Sequence, residues 1–268
     1  MTKTMDDHSL WDPVHLDFEH PRVWQLGPLK FWVRNDRDEW RLGVARFPDD
    51  RRTRLCAVRD TPPEDIEWSR WVVGENCVAL RLSPLLPDYP IVVRPESQLG
   101  ILPGNKALFF VLLPIWIQVN AVEKDGRVQP LCELPTFVSS KTWFGDPLSG
   151  ELAYSLKTLA RKAIEPGEPG VHQASCPVYI NNTASVDLIF TRLCIRVSHL
   201  SLFEDADHLW TNEVYVGYRG KESISQIRYF DKPPSYGGKK VPVGTPRKKI
   251  GKSFAQKSFD TFKFFAGI

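Results

Sequence analysis

Twenty-two prolines, spread from Pro13 to Pro246, constrain this 268-residue chain more than any other feature. Proline lacks a backbone N–H and its ring clashes with the preceding helical turn, so the prolines argue against long uninterrupted helices. The Val and aromatic residues between the prolines fit the half-buried surface of a strand instead. Nine Trp and fifteen Phe supply bulky core material. A sizeable core is therefore feasible without disulfide or metal staples, in one large domain or two of ordinary size.

The order of short runs and turns supports a strand-built chain. "VWQLG", "LKFWV" and "WRLGVARF" read as an antiparallel meander over residues 22–46, divided by Gly27-Pro28 and by a charged turn over 34–39. Two more strand candidates lie between Trp68 and Leu82, and prolines cluster over 86–95. "ILPGNKALFFVLLPIWIQV" predicts a Pro-Gly turn and a long apolar strand, with a kink or break at Pro114. Asp125-Gly126 is a hairpin signal. "CPVYINNTASVDLIFTRLCIRV" predicts an Asn-Asn turn between two alternating runs. Short strands with regular turns are the pattern of a β-sandwich.

One segment is ambiguous. Leu152, Leu156, Leu159 and Ala163 fit a helical stripe, whereas Leu152, Tyr154 and Leu156 fit the inward side of a strand. The stretches "WFGDPLSGELAYSLKTLAR", "CPVYINNTASVDLIFTRLCI" and "HLSLF" followed by "LWTNEV" occur in that order. On these stretches, and on "WQLGPLKFWV" and "PGNKALFFVLLPIWI", the chain resembles a bacterial and archaeal family catalogued as domain of unknown function 432. The likeness covers most of the chain. It implies an all-β protein, favours strand for residues 150–164, and implies no activity.

Charge and cysteine usage narrow the function classes. From Asp231 onward there are nine Lys/Arg against two Asp/Glu, a local +7, while the remainder holds 26 against 30, or −4. A weakly acidic body thus carries a basic tail. The five cysteines form no C-x-x-C pair, so no zinc or redox motif is expected, and reduced thiols in a cytoplasmic protein are the plain reading. The first ten residues lack the apolar core of a signal peptide. The longest apolar run, 107–117, is too short to span a bilayer.

Three places invite a functional reading. The turn "WFGDPLSG" could offer backbone N–H groups and a carboxylate through Trp143, Asp146 and Ser149, but it lacks a nucleophile elbow and reads first as a structural turn. "HLSLFEDADHLW" gathers His199, Glu204, Asp205, Asp207 and His208; they could hold a divalent ion or share a proton, although no metal-ligand spacing is present and a solvated turn accounts for them. The Gly251-Lys252-Ser253 triplet imitates a phosphate loop, but Pro246 stands where that loop needs its first glycine. In the tail, Ile250, Phe254, Phe262 and Phe265 share one rough helical side, with Lys257 among the surrounding lysines. Such a helix can lie on an anionic membrane surface or in a partner's groove, or pack on its own body.

The expected protein is all-β, an antiparallel immunoglobulin-like β-sandwich with a short C-terminal helix. Its expected regions are an N-terminal meander over residues 1–90, a sandwich over 91–235 and a basic tail over 236–268. The expected function is a non-enzymatic binding or regulatory module, cytoplasmic or peripheral to the inner membrane. It would act on a protein partner or an anionic membrane surface, with no catalytic residues, cofactor, metal or nucleic acid. The competing expectation is a hydrolase with its site near residues 143–150 and 199–208; it requires nucleophile, base and stabilising donor to converge in one cleft.

Overall fold

The computed structural model describes residues 9–18, 20–36, 39–47, 53–58, 60–164, 169–206, 208–220 and 226–249. The chain opens with β1 (Arg22–Leu26), β2 (Leu29–Asn35), β3 (Glu39–Arg46), β4 (Arg54–Val58), β5 (Trp68–Val72) and β6 (Cys77–Leu85). Then come β7 (Ile91–Pro95), β8 (Leu99–Ile101), β9 (Lys106–Pro114), β10 (Trp116–Glu123) and β11 (Val128–Pro135). After these follow β12 (Lys141–Phe144), β13 (Glu151–Thr158), β14 (Gln173–Asn182), β15 (Leu188–Phe190) and β16 (Leu193–Ile195). A 3-10 turn, Val197–His199, precedes β17 (Leu202–Asp205), β18 (His208–Thr211), β19 (Val214–Tyr218), β20 (Gln226–Tyr229) and β21 (Val241–Gly244). The all-β expectation holds among the described residues, and the ambiguous segment is strand over Glu151–Thr158. The expected C-terminal helix covers residues 247–268; of these, 247–249 are described and are not helical, and the remainder lies outside the described residues.

Two compact units divide the chain. The first comprises Met1–Leu85, Pro114–Phe137 and Gly170–His172; the second comprises Leu86–Leu113, Val138–Pro169 and Gln173–Ile268.

The first unit holds a five-stranded sheet in the order β4-β1-β2-β3-β5 and a three-stranded sheet β11-β10-β6. The expected meander forms β1, β2 and β3, with Gly27 at φ 55 in the first turn, where a side chain would be strained. Trp24 sits directly opposite Phe31 across β1 and β2, and their buried rings stack with centroids 5.4 Å apart. Such a pair adds about 0.5–1.5 kcal/mol beyond its burial. Arg34, Arg41 and Arg70 also fall in one cross-strand row. Like charges placed so would repel. Asp36 answers Arg34 at 2.8 Å, and Glu39 answers both Arg41 at 2.9 Å and Arg70 at 2.5 Å. The Asp125-Gly126 hairpin joins β10 to β11 as expected, with Gly126 at φ 83.

Pro114 marks the break expected of it. It closes β9, which pairs with β14, and after Ile115 the chain enters β10, which pairs with β6 and β11.

The second unit holds three sheets. One has four strands in the order β12-β13-β7-β16, one is the small β15-β8 pair, and the third has seven strands, β20-β19-β14-β18-β17-β21 with β9 also on β14. The antiparallel expectation needs correction here, because β13 runs parallel to β7, and β14 runs parallel to both β18 and β19. Parallel neighbours cannot be joined by a tight hairpin, and residues 183–213 carry the crossover between β14 and β19. The expected Asn-Asn turn is also corrected. Asn182 is the last residue of β14, and the following run, β15, pairs with β8 in a different sheet. Buried Asn182 donates to Ile101 O at 2.8 Å and to Val186 O at 3.0 Å, and accepts from Ala184 N at 3.0 Å. No helix among the described residues is long and apolar enough to cross a membrane, which says nothing of strands.

Candidate functional site

The 143–150 turn is held together from within. The Trp143 indole N–H donates to Asp146 O at 3.0 Å, the Gly150 N–H donates to the same oxygen at 2.7 Å, and the Asp146 carboxylate accepts from Leu148 N at 2.8 Å. Phe144 is buried with Val92, Ala153 and Cys194, while Trp143 is 47% exposed and Leu148 97% exposed. Gly150 has no room for a side chain: a Cβ would stand 2.5 Å from Phe144 O and 2.7 Å from Asp146 O. The Asp146 carboxylate is engaged in its own turn.

The 199–208 candidates are spread over several contacts. His199 Nδ1 lies 3.3 Å from Lys248 O, and its ring is 5.6 Å from that of Tyr229. Asp205 Oδ2 accepts from the Gly238 N–H at 2.6 Å. His208 Nε2 lies 2.7 Å from Ser175 Oγ, and its ring stacks on Trp210 at 4.6 Å. Burial lowers the His208 pKa and Lys240 lowers it further, with Asp205 opposing both. The Ser175–His208 contact has the nucleophile–base pairing a hydrolase requires. Ser175, however, is 0% exposed within β14, and the neighbouring carboxylate is spent on a backbone N–H. Asp207, Phe254, Lys257, Phe262 and Phe265 lie outside the described residues, and no group of three or more metal-ligating side chains occurs among those described.

A further site, which the sequence did not single out, lies on β14 and β19. In β14 and β19 burial alternates, so Val178, Ile180, Val214 and Val216 are buried while Tyr179, Asn181, Tyr215 and Gly217 take the opposite face. Register places Tyr179 opposite Tyr215, Asn181 opposite Gly217, and Tyr215 opposite Arg228 of β20. The two tyrosine rings stack with centroids 4.4 Å apart and an 8° interplanar angle, and Phe230 meets Tyr215 edge-on at 4.8 Å.

One end of this face is covered. Tyr236 packs on Phe110, Phe203 and Trp210, and its hydroxyl lies 2.6 Å from that of Tyr179. Beyond that hydrogen bond the face opens into a groove of about 530 Å³. Lys106, Arg219 and Arg228 line it, together with the Tyr179–Tyr215 pair, Asn181 and Phe230. No carboxylate lines it among the described residues.

The tyrosines are held in place from below. The Tyr215 hydroxyl donates to Glu213 Oε2 at 2.9 Å, and Ser235 donates to Oε1 through its N–H at 3.1 Å and its hydroxyl at 2.7 Å. Burial pushes the Glu213 carboxyl up, but these donors and the Lys232 charge outweigh it and hold the pKa below the usual range. Burial and the Tyr236 contact push the Tyr179 phenol up; burial and Glu213 do the same at Tyr215. Both rings therefore stay neutral, and the open groove carries the positive charge of its Lys and Arg residues. Such a surface concentrates anions and offers them N–H forks on an aromatic wall.

The sequence carried a faint signal of this site in "VYINN" at 178–182 and "VYVGY" at 214–218, two runs that place Tyr at matching positions. Nothing local says that the two runs are neighbours. No curated protein and no solved structure matches the chain. The family model described as protein of unknown function (DUF432) matches residues 10–264, nearly the whole length, in accord with the resemblance carried by the sequence stretches, and the chain belongs to that family.

Proposed function

We propose that this protein is a non-enzymatic binding module whose open groove on the seven-stranded sheet takes an anionic ligand. The observation that carries this reading is the lining: Lys106, Arg219 and Arg228 converge from three elements, with no carboxylate among the described lining residues. The groove size of about 530 Å³ suits a small ligand. The scaffold we infer for the second unit is a two-layer sandwich of immunoglobulin-like character. The Arg196 N–H, just after β16 of the four-stranded sheet, donates to the hydroxyl of Tyr229 of the seven-stranded sheet at 3.2 Å, which supports such layering. The parallel pairings distinguish it from the all-antiparallel immunoglobulin pattern.

The basic tail adds a docking element for a protein partner or an anionic membrane surface in this reading. Its starting point is fixed on the second unit: Arg247 Nε donates to Leu86 O at 2.7 Å and Lys248 N to Ser198 O at 2.9 Å.

Thermal unfolding at constant ionic strength tests the groove. A panel of phosphate, pyrophosphate and citrate should contain an anion that raises the melting temperature. At a hundred times its Kd the expected rise is about 5–10 °C. The Arg219→Gln and Lys106→Gln variants should melt normally and lose the rise. An equal rise in wild type and both variants would remove the groove from consideration.

A further inference from the structure

We propose that the ligand of this groove is a nucleoside phosphate, a planar ring carrying a phosphate chain. The inference rests on the anion-binding reading and adds the ring. Three features select this chemistry over a simple anion.

The first is how the cations are spread. Lys106 begins β9, Arg219 follows β19 and Arg228 lies on β20, so they approach from different elements. Neither Lys106 nor Arg219 has an ion-pair partner among the described residues. A compact monoanion satisfies one such group. A phosphate chain presents several oxygens along its length and can engage more than one guanidinium fork.

The second feature is the aromatic wall. Phe230 is 37% exposed within the same groove, braced edge-on by Tyr215, with the Lys232 ammonium 5.8 Å from its ring centroid. An aliphatic or inorganic anion leaves that ring in water, whereas a base laid against it is stacked. Tyr179 and Tyr215 have their hydroxyls committed to Tyr236 and Glu213, so they act as a stiff backing that need not reorganise when a ring arrives. At the centre of the floor Gly217 opposes Asn181. The glycine leaves backbone accessible, and the amide can both donate and accept at a base edge or a ribose hydroxyl.

The third feature is the closed end. Tyr236 covers the face where its hydroxyl meets that of Tyr179, so on that side protein rather than open surface adjoins the tyrosine pair. A polymer needs an open path on both sides of the site, and a mononucleotide does not. The geometry therefore favours the small molecule over a nucleic-acid strand.

The test is titration calorimetry on the full chain at fixed ionic strength. The probes are the common ribonucleoside diphosphates, inorganic pyrophosphate, and a short single-stranded oligodeoxynucleotide. At least one nucleoside diphosphate should bind more tightly than pyrophosphate by about five- to a hundredfold, the range that an aromatic–base stack confers. Phe230→Ala should reduce that nucleotide to the pyrophosphate level and leave pyrophosphate binding unchanged. Phe230→Tyr, which keeps a ring, should retain the preference and guards against a folding defect in the alanine variant. Arg219→Gln should weaken both probes. If pyrophosphate and every nucleotide bind equally and Phe230→Ala changes neither, the ring inference is overturned while the anion site stands. If none of the probes binds, both readings fall. Tighter binding of the oligonucleotide than of any mononucleotide would also overturn the proposal.

Discussion

Gly150→Ala should be among the most damaging small substitutions in the second unit. The new Cβ would stand 2.5 Å from Phe144 O and 2.7 Å from Asp146 O, and Trp143 Nε1 also lies in its way. The two oxygens are backbone and cannot rotate aside as a flexible side chain could. Relieving the overlap moves the Asp146 carbonyl, which holds both the Trp143 indole N–H at 3.0 Å and the Gly150 N–H at 2.7 Å. Overpacking of this kind costs about 1–3 kcal/mol, and the two hydrogen bonds about 0.5–1.5 kcal/mol each. The summed loss is about 2–6 kcal/mol. With a slope near 2 kcal/mol/M, the urea midpoint read by far-UV circular dichroism should fall by about 1–3 M. Leu148→Ser, at a side chain 97% exposed, is the control and should stay within about 0.5 kcal/mol of wild type. If Gly150→Ala unfolds like the control, the turn yields freely. Its self-contained hydrogen bonding would then be no barrier to a ligand, and the 143–150 segment would return as a binding loop.

Three further outcomes are expected. Glu213 has a folded pKa held below its unfolded value near 4.3, so its stabilising effect is complete above that value and is lost as pH falls through the folded pKa; Glu213→Gln should flatten the acid limb of the urea-midpoint profile, and an unchanged limb would contradict the anchoring role. Burial pushes the Cys176 thiol up to about 12 and the Cys132 thiol up to about 11, so mass spectrometry after brief alkylation should find Cys176 labelled only once the chain is unfolded; prompt labelling of Cys176 in the native protein would refute its burial. Deleting residues 250–268 spares the Arg247 and Lys248 anchors, so the melting temperature should hold while salt-sensitive co-sedimentation with anionic vesicles, or with a partner, is lost; a sharp fall in melting temperature would show the tail to be part of the folded body.

Wherever a few neighbouring residues decide the outcome, the sequence alone was sufficient. Proline density argued against long helices. Gly27-Pro28 and Asp125-Gly126 each join strands that pair with their immediate successors, so turn chemistry and period-two burial contain all the information needed. Pro114 ends a strand whichever sheet that strand joins. The 151–158 segment was legible only through family resemblance, since Leu152, Tyr154 and Leu156 satisfy two periodicities at once. The tertiary structure decided the rest, through pairings between distant residues. Tyr179 and Tyr215 meet because β14 and β19 run parallel, and no local feature of "VYINN" or "VYVGY" specifies that partnership. The same limit placed the expected Asn-Asn turn at a strand end, because β15 finds its partner in β8, far back in the chain. Lys106, Arg219 and Arg228 are separated in the sequence by polar and apolar stretches of every kind. Only the order of strands in the seven-stranded sheet brings their charges to one groove, because strand order is set by the burial of whole faces rather than by any residue's own propensity.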